Sequence, residues 1–208
     1  MSRRNSQLED AVAHLKSADR TLRPVIDRVG ECRLKTSRDR FGSLVRSIVS
    51  QQISTKAARA VMARLTAHFG PGPIVAERVQ AATVEELRGL GLSRQKAGYL
   101  HDLAERVSAG SLELRTIGRK DDAGVIAELT QVRGIGVWTA QMFLMFTLGR
   151  LDVFPGDDLG IRMALKNLYQ LDELPTRQAG EVIAAPWSPY ASVASWYCWR
   201  SLELKAEA

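Results

Sequence analysis

Two adjacent carboxylates, Asp157 and Asp158, end the loop Phe154-Pro155-Gly156-Asp157-Asp158 directly ahead of a helical stretch that begins at Leu159. A carboxylate at a helix start is rigid and ionised, so it suits two jobs: capping the helix, or steadying positive charge that develops in a reaction. Both readings stay open for this pair. A second group is Val132-Arg133-Gly134-Ile135-Gly136-Val137-Trp138-Thr139-Ala140. Glycine at 134 and 136 permits backbone angles and close approaches that a Cβ forbids, which leaves turn amides and the next helix's N-terminus facing outward as a phosphate seat. The same Gly-x-Gly also makes a plain helix-helix corner, and Ile135 plugs the turn in either case. Arg133, with Arg94, Lys96 and Arg46, would extend a basic strip that positions a duplex backbone without reading its sequence.

Ser50-Gln51-Gln52-Ile53-Ser54 interrupts two helical stretches with amides that need polar partners if they are buried. They either reach a ligand, or form a solvated corner with Ser54 as helix N-cap. Trp138, Trp187, Tyr190 and Trp196 are large apolar side chains that suit anchoring a core. Trp199 reads as structural. His14, His68 and His101 lack metal-ligand spacing and read as surface residues, so no metal or other cofactor is expected.

These residues need a scaffold, and the apolar spacing says which kind. Apolar positions recur at three- and four-residue intervals almost throughout, without alternating Val, Ile and Thr runs of strand length, so the expected class is all-α. Leu8, Val12 and Leu15 mark one helix; Phe41, Leu44, Val45, Ile48 and Val49 mark another. A third opens at Ser54-Thr55 and stops at Gly70-Pro71-Gly72-Pro73, and Thr83-Val84-Glu85-Glu86 is a capping box opening a short one to Leu90. Helices are expected over Ser93–Val107, Asp121–Thr130, from the Gly-x-Gly turn to Leu148, over Leu159–Leu168, Arg177–Ala184 and Ser188–Leu204. No internal repeat or low-complexity tract is visible.

Composition excludes several classes. The chain has 208 residues, 45% hydrophobic and 25% charged, which fits one or two globular units rather than a disordered chain. With 29 Lys and Arg against 23 Asp and Glu, the net charge of +6 favours an anionic partner such as nucleic acid. The two cysteines, Cys32 and Cys198, support neither a disulfide framework nor a zinc ribbon, and cannot alone supply the four thiolates of an iron-sulfur cluster. Apolar runs fall short of the ~20 residues of a membrane span, and the start lacks an apolar signal region, so the expected compartment is the cytoplasm.

The ordered set of hairpin, Pro-Gly loop, Asp158, the Phe41–Ser54 segment and Trp187-Ser188-Pro189-Tyr190-Ala191 with Trp196 resembles the helix-hairpin-helix base-excision DNA glycosylase superfamily. The resemblance spans roughly residues 37 to 203 and is nearest to 3-methyladenine-DNA glycosylase II in a compact form without an amino-terminal β domain. It implies a single all-α unit of two lobes, approximately 37–150 and 1–36 plus 151–208, with the active site in the cleft between them. It also implies a catalytic role for Asp158, with Asp157 as the neighbour that caps or supports. Trp138, Trp187, Tyr190 and Trp196 would line a base pocket. Gln51, Gln52, Arg133, Gly134, Ile135 and Gly136 would contact DNA, Gln52 or its neighbour filling the gap left by an extruded base.

Trp138 stands where bifunctional relatives carry their Schiff-base lysine, and an indole supplies no amine nucleophile. The implied activity is therefore monofunctional: hydrolysis of the N-glycosidic bond of alkylated purines such as 3-methyladenine in double-stranded DNA by a monomer, leaving an abasic site. Arg133 replaces a proline common in the hairpin, which is expected to loosen the turn while gaining a phosphate contact. A non-catalytic binder of distorted DNA and a glycosylase for another damaged base remain alternatives.

Overall fold

The computed structural model describes residues 3–206, and no strand occurs among them. The α-helices are α1 (Arg3–Ala18), α2 (Arg23–Val29), α3 (Arg40–Ser50), α4 (Thr55–Phe69), α5 (Ala76–Ala81), α6 (Val84–Gly89), α7 (Arg94–Ser108), α8 (Asp122–Leu129), α9 (Val137–Phe143), α10 (Leu159–Leu168), α11 (Arg177–Ala184) and α12 (Ala191–Ala206). No helix of the described residues is long and apolar enough to cross a membrane. The chain divides into two compact units, one built from the segments up to Thr36 and from Gly149 onward, the other from Ser37–Leu148.

Side-chain caps set many of the helix starts. The side chains of Asp39, Ser54, Thr83, Ser93, Asp121, Asp158 and Thr176 each accept a backbone N–H of the first helical turn, and Thr83 with Glu86 completes the capping box. In the Ser37–Leu148 unit, α3 turns Leu44, Val45, Ile48 and Val49 inward and packs against α4, α7 and α9. In the other unit, α12 packs on α10, α2 and α1 around Leu15, Leu22, Ile26, Trp187 and Tyr197.

Two boundaries differ from the sequence expectation. The helix after the Gly-x-Gly turn is α-helical only to Phe143 and continues as a π turn over Leu144–Leu148, ahead of Gly149 with φ +74°. The last helix starts at Ala191 rather than Ser188, because Pro186 and Pro189 remove two backbone donors and the chain takes a 3-10 turn over Ala185–Trp187 instead. The short helices α2 and α5 have too few turns to announce themselves by periodicity.

Asp19 holds the discontinuous unit together. It is buried, and its Oδ1 accepts the Thr21 and Leu22 amides at 2.8 and 3.0 Å. Its Oδ2 accepts the Trp187 indole N–H at 2.7 Å and the Tyr169 hydroxyl, so a carboxylate from the first segment ties two residues of the last. Burial, reinforced by the Asp19 carboxylate, pushes the Tyr169 hydroxyl well above its ordinary pKa and keeps it a donor. Asp19→Ala should therefore strand four donors, the Leu22 amide and Trp187 indole N–H among them buried, and cost about 3 kcal/mol of unfolding free energy in a urea melt. Asp19→Asn, which keeps one acceptor oxygen, should cost less.

Candidate functional site

The turn between α8 and α9 is anchored by α7. Gly134 has φ +82°, and a Cβ there would be driven into the Tyr99 ring, so the turn sits directly on that ring. Ile135 is buried under the turn, whereas Gly136, the N-cap of α9, has open space where a Cβ would point. Arg133 donates its backbone N–H to Asp102 Oδ2 at 2.9 Å and its Nε–H to Asp102 Oδ1 at 3.2 Å. The expected loosening of the turn is thus overturned: a proline has no N–H to give, and Arg133 uses its own to pin the turn. Burial pushes the Asp102 carboxyl up, but the Arg133 amide and the Arg106 and Arg133 guanidiniums outweigh it and hold the group below its ordinary pKa.

The corner between α3 and α4 leans on the same helix. Lys96 donates to the Val49 and Gln51 carbonyls at 2.7 and 2.6 Å, satisfying the C-terminal end of α3 where cations are favoured. Burial lowers the Lys96 pKa, and its ammonium faces protein carbonyls rather than a phosphate strip, which corrects its expected role. Gln51 Nε2 donates to the Gly134 carbonyl at 2.7 Å, joining corner to hairpin. Gln52 takes the left-handed conformation, φ +54°, and is exposed. The solvated-corner reading therefore holds for Gln52 alone, and Ser54 does cap α4, accepting the Ala57 amide at 3.2 Å. Lys96, Tyr99 and Asp102, spaced by three on α7, were invisible as a set in the sequence. The available signal was a polar residue every third position beside the buried Ala97, Leu100 and Leu103.

Trp138 lies on the first turn of α9 and is 45% exposed. Met142, one turn further, and Phe146 help line a cavity of about 560 Å³ within the same unit, with Ser47, Ser50, Ile53 and Arg59 on other sides. Sequence reading missed both apolar residues. Arg46, also on this cavity, lies 3.1 Å from Ser43 and 3.5 Å from Asp39, and Arg94 is exposed.

In the other unit, Asp158 is the N-cap of α10: its Oδ1 accepts the Ile161 amide at 2.8 Å and the Trp199 indole N–H at 2.9 Å. Capping thus falls on Asp158 itself and not on Asp157, which is exposed and lies 3.5 Å from Arg177. Tyr190 and Trp196 are half-buried; the Tyr190 ring meets His14 edge-on at 5.4 Å, and the Arg200 guanidinium sits 5.6 Å from the Trp196 ring. Trp187 is 0% exposed with its indole N–H on Asp19. It has no face on which a base could stack, so its expected place in a base pocket is withdrawn. His101 is half-buried rather than on the surface. No group of three or more His, Cys, Asp or Glu able to hold a metal occurs among the described residues.

Residues 45–189, which include the corner, the hairpin and the Asp158 loop, match the family described as HhH-GPD superfamily base excision DNA repair protein. The chain belongs to that superfamily. Among its relatives, DNA-3-methyladenine glycosylase 1 of Schizosaccharomyces pombe is 31% identical over 96% of this chain and 90% of its own length. A solved structure of the Schizosaccharomyces pombe 3-methyladenine DNA glycosylase with abasic DNA superposes with TM-score 0.85, 30% identity and coverage of 93% and 97%. A Bacillus halodurans DNA-3-methyladenine glycosidase gives TM-score 0.85 at 36% identity, covering 95% of this chain and 91% of its own.

The anchoring of the hairpin has two measurable consequences. Gly134→Ala should cost about 1–3 kcal/mol of stability by overpacking against Tyr99, and should weaken binding to every duplex alike. An unchanged affinity in a normally folded variant would remove the hairpin from the interface. Because the folded Asp102 carboxyl sits below its unfolded value of about 3.9, its contribution is complete above that pH and is lost as pH falls through the folded value. The stability gap between wild type and Asp102→Asn should accordingly be constant from pH 5 to 7 and shrink below about pH 4.

Proposed function

We propose that this chain is a monofunctional DNA glycosylase that extrudes alkylated purines such as 3-methyladenine from duplex DNA and hydrolyses their N-glycosidic bond, leaving an abasic site. It acts as a monomer in the cytoplasm. The observation that carries this reading is Asp158, a carboxylate fixed at a helix start by a backbone amide and an indole N–H within a protein of the HhH-GPD superfamily. The names of the relatives support the substrate class.

The chemistry asks for little more. An N-alkylated purine is already cationic, so it leaves with the electron pair of the C1′–N bond without a strong general acid. The sugar is left with oxocarbenium character, which a preorganised carboxylate stabilises while water adds to C1′ and gives up a proton. Trp138 stacks on the extruded cationic base, and Tyr190 and Trp196 complete its aromatic surroundings. Gly134, Ile135, Gly136 and Arg133 hold the phosphate backbone, Gln51 fixes the corner, and the exposed Gln52 fills the gap in the stack.

Incubation with alkylated DNA, followed by chromatography of the released bases, should show methylated purines. Asp158→Asn keeps the cap but removes the charge, and should slow release roughly a hundredfold or more with little change in DNA affinity. Asp157→Asn should retain most activity. Full activity in both single variants and the double variant would remove the acidic pair from the mechanism. Borohydride should trap no protein-DNA adduct, since position 138 offers no amine; strand scission with a trapped adduct would sink the monofunctional reading.

A further inference from the structure

Three serines of α3 line a cavity and have spent their hydroxyl hydrogens on the backbone behind them. Ser43 donates to the Asp39 carbonyl at 2.6 Å, Ser47 to the Ser43 carbonyl at 3.0 Å and Ser50 to the Ser47 carbonyl at 3.1 Å. A hydroxyl has one hydrogen and two acceptor positions, so each serine has only oxygen lone pairs left to offer a ligand. The Arg46 guanidinium takes the Ser43 oxygen at 3.1 Å. The Ser47 and Ser50 oxygens accept no hydrogen bond among the described residues. The cavity, of about 560 Å³, lies wholly within the Ser37–Leu148 unit. Met62 and Met142 give it polarisable apolar walls, and Arg59 adds a cation. Arg46 has Asp39 at 3.5 Å to balance it, whereas Arg59 is exposed and makes no hydrogen bond or ion pair among the described residues.

A ligand that matches this lining carries an N–H donor for the serine oxygens, a flat apolar body for the thioethers and an anion for Arg59. We propose that the cavity binds a purine nucleotide with an exocyclic amine, free or as a unit of a strand, the amine on Ser47 and Ser50 and the phosphate on Arg59. Its volume falls within the roughly 300–1,000 Å³ of small-ligand sites. A carbonyl in place of the amine would meet oxygen lone pairs, and a serine could donate to it only by withdrawing its hydrogen from the α3 backbone. Selection for the amine therefore comes from the hydrogen bonds inside α3. The site does not depend on Asp158 or on the proposed reaction.

The test is calorimetric titration of the full chain with dAMP, dIMP and deoxyadenosine, which isolate the amine and the phosphate in turn. dAMP should bind, and dIMP and deoxyadenosine should each bind about tenfold more weakly, the scale of one lost polar contact. Ser47→Ala combined with Ser50→Ala should bring dIMP to within about twofold of dAMP while deoxyadenosine stays weak. Arg59→Met should do the reverse, equalising dAMP and deoxyadenosine and reducing the salt dependence of dAMP binding. Thermal melts check that the variants are folded, and Ser47→Ala alone serves if the double variant is not. Short single-stranded oligomers of deoxyadenosine and deoxyinosine separate the two sources: tighter binding of the former than of dAMP marks a strand, and weaker binding marks the free nucleotide. No binding of dAMP at millimolar concentration, equal affinity for all three probes, or preferences that survive both sets of substitutions would overturn the site. Base release from alkylated duplex is a separate measurement, and its absence would count against the proposed function while leaving this site standing.

Discussion

The end of α3 and the turn between α8 and α9 both leave backbone groups that their own helices cannot satisfy, and α7 supplies the partners for both. Lys96 takes the carbonyls of Val49 and Gln51, Tyr99 lies under Gly134, and Asp102 takes the amide of Arg133. Gln51 closes the set by donating to the Gly134 carbonyl. Each group is satisfied from the protein side, so neither loop needs to fold back on itself to find a partner. That leaves Gln52 and Gly136 on the outward side, the one exposed in the left-handed region and the other with open space over its Cα. A loop that meets a flat polyanion has to be rigid and unobstructed at once, and a buttress from behind meets both demands.

The same economy governs the acidic side chains. Asp19, Asp102 and Asp158 all accept backbone amides and side-chain donors, yet they are put to different ends. Asp19 is enclosed and joins two distant segments, where its charge is matched by four donors and does nothing else. Asp102 stands between two guanidiniums and serves the hairpin. Asp158 caps α10, its Oδ1 accepting both a backbone amide and an indole N–H.

What the sequence disclosed followed the physics of each level. Apolar spacing gave the all-helical class, and Thr83 with Glu86 gave its capping box, because these signals depend on near neighbours in the chain. The glycines of the hairpin were legible for the same reason, since a turn with φ +82° selects its residue locally. Long-range hydrogen bonds left no such trace. Nothing near Trp187 in sequence discloses that Asp19, 168 residues away, takes its N–H, so its aromatic surface was assigned to a ligand instead of the core. Lys96 was read as a phosphate contact because charge is visible in sequence and its burial against two carbonyls is not. Of the two carboxylates before α10, the cap falls on Asp158 and not on Asp157, which neighbouring residues alone did not decide.

On the proposed reading Asp158 both caps α10 and serves the chemistry, and that double use bears on how the site is built. An N-cap is a demanding position: the carboxylate must stay in one rotamer to reach the amide two or three residues on, and it gains helix stability by doing so. Using the same side chain for chemistry means that the energy of capping and the energy of orientation come from one interaction. The arrangement also constrains what chemistry is reachable. A carboxylate committed through Oδ1 is poorly placed to swing as a proton shuttle, and well placed to face a cation that forms at a fixed point. On the proposed reading the leaving base is already charged, so no shuttle is required, and the indole at position 138 takes the place of the amine that a covalent mechanism would need. The rigid carboxylate and the missing amine are thus two sides of one commitment: the proposed active site is shaped to stabilise charge that the substrate itself provides.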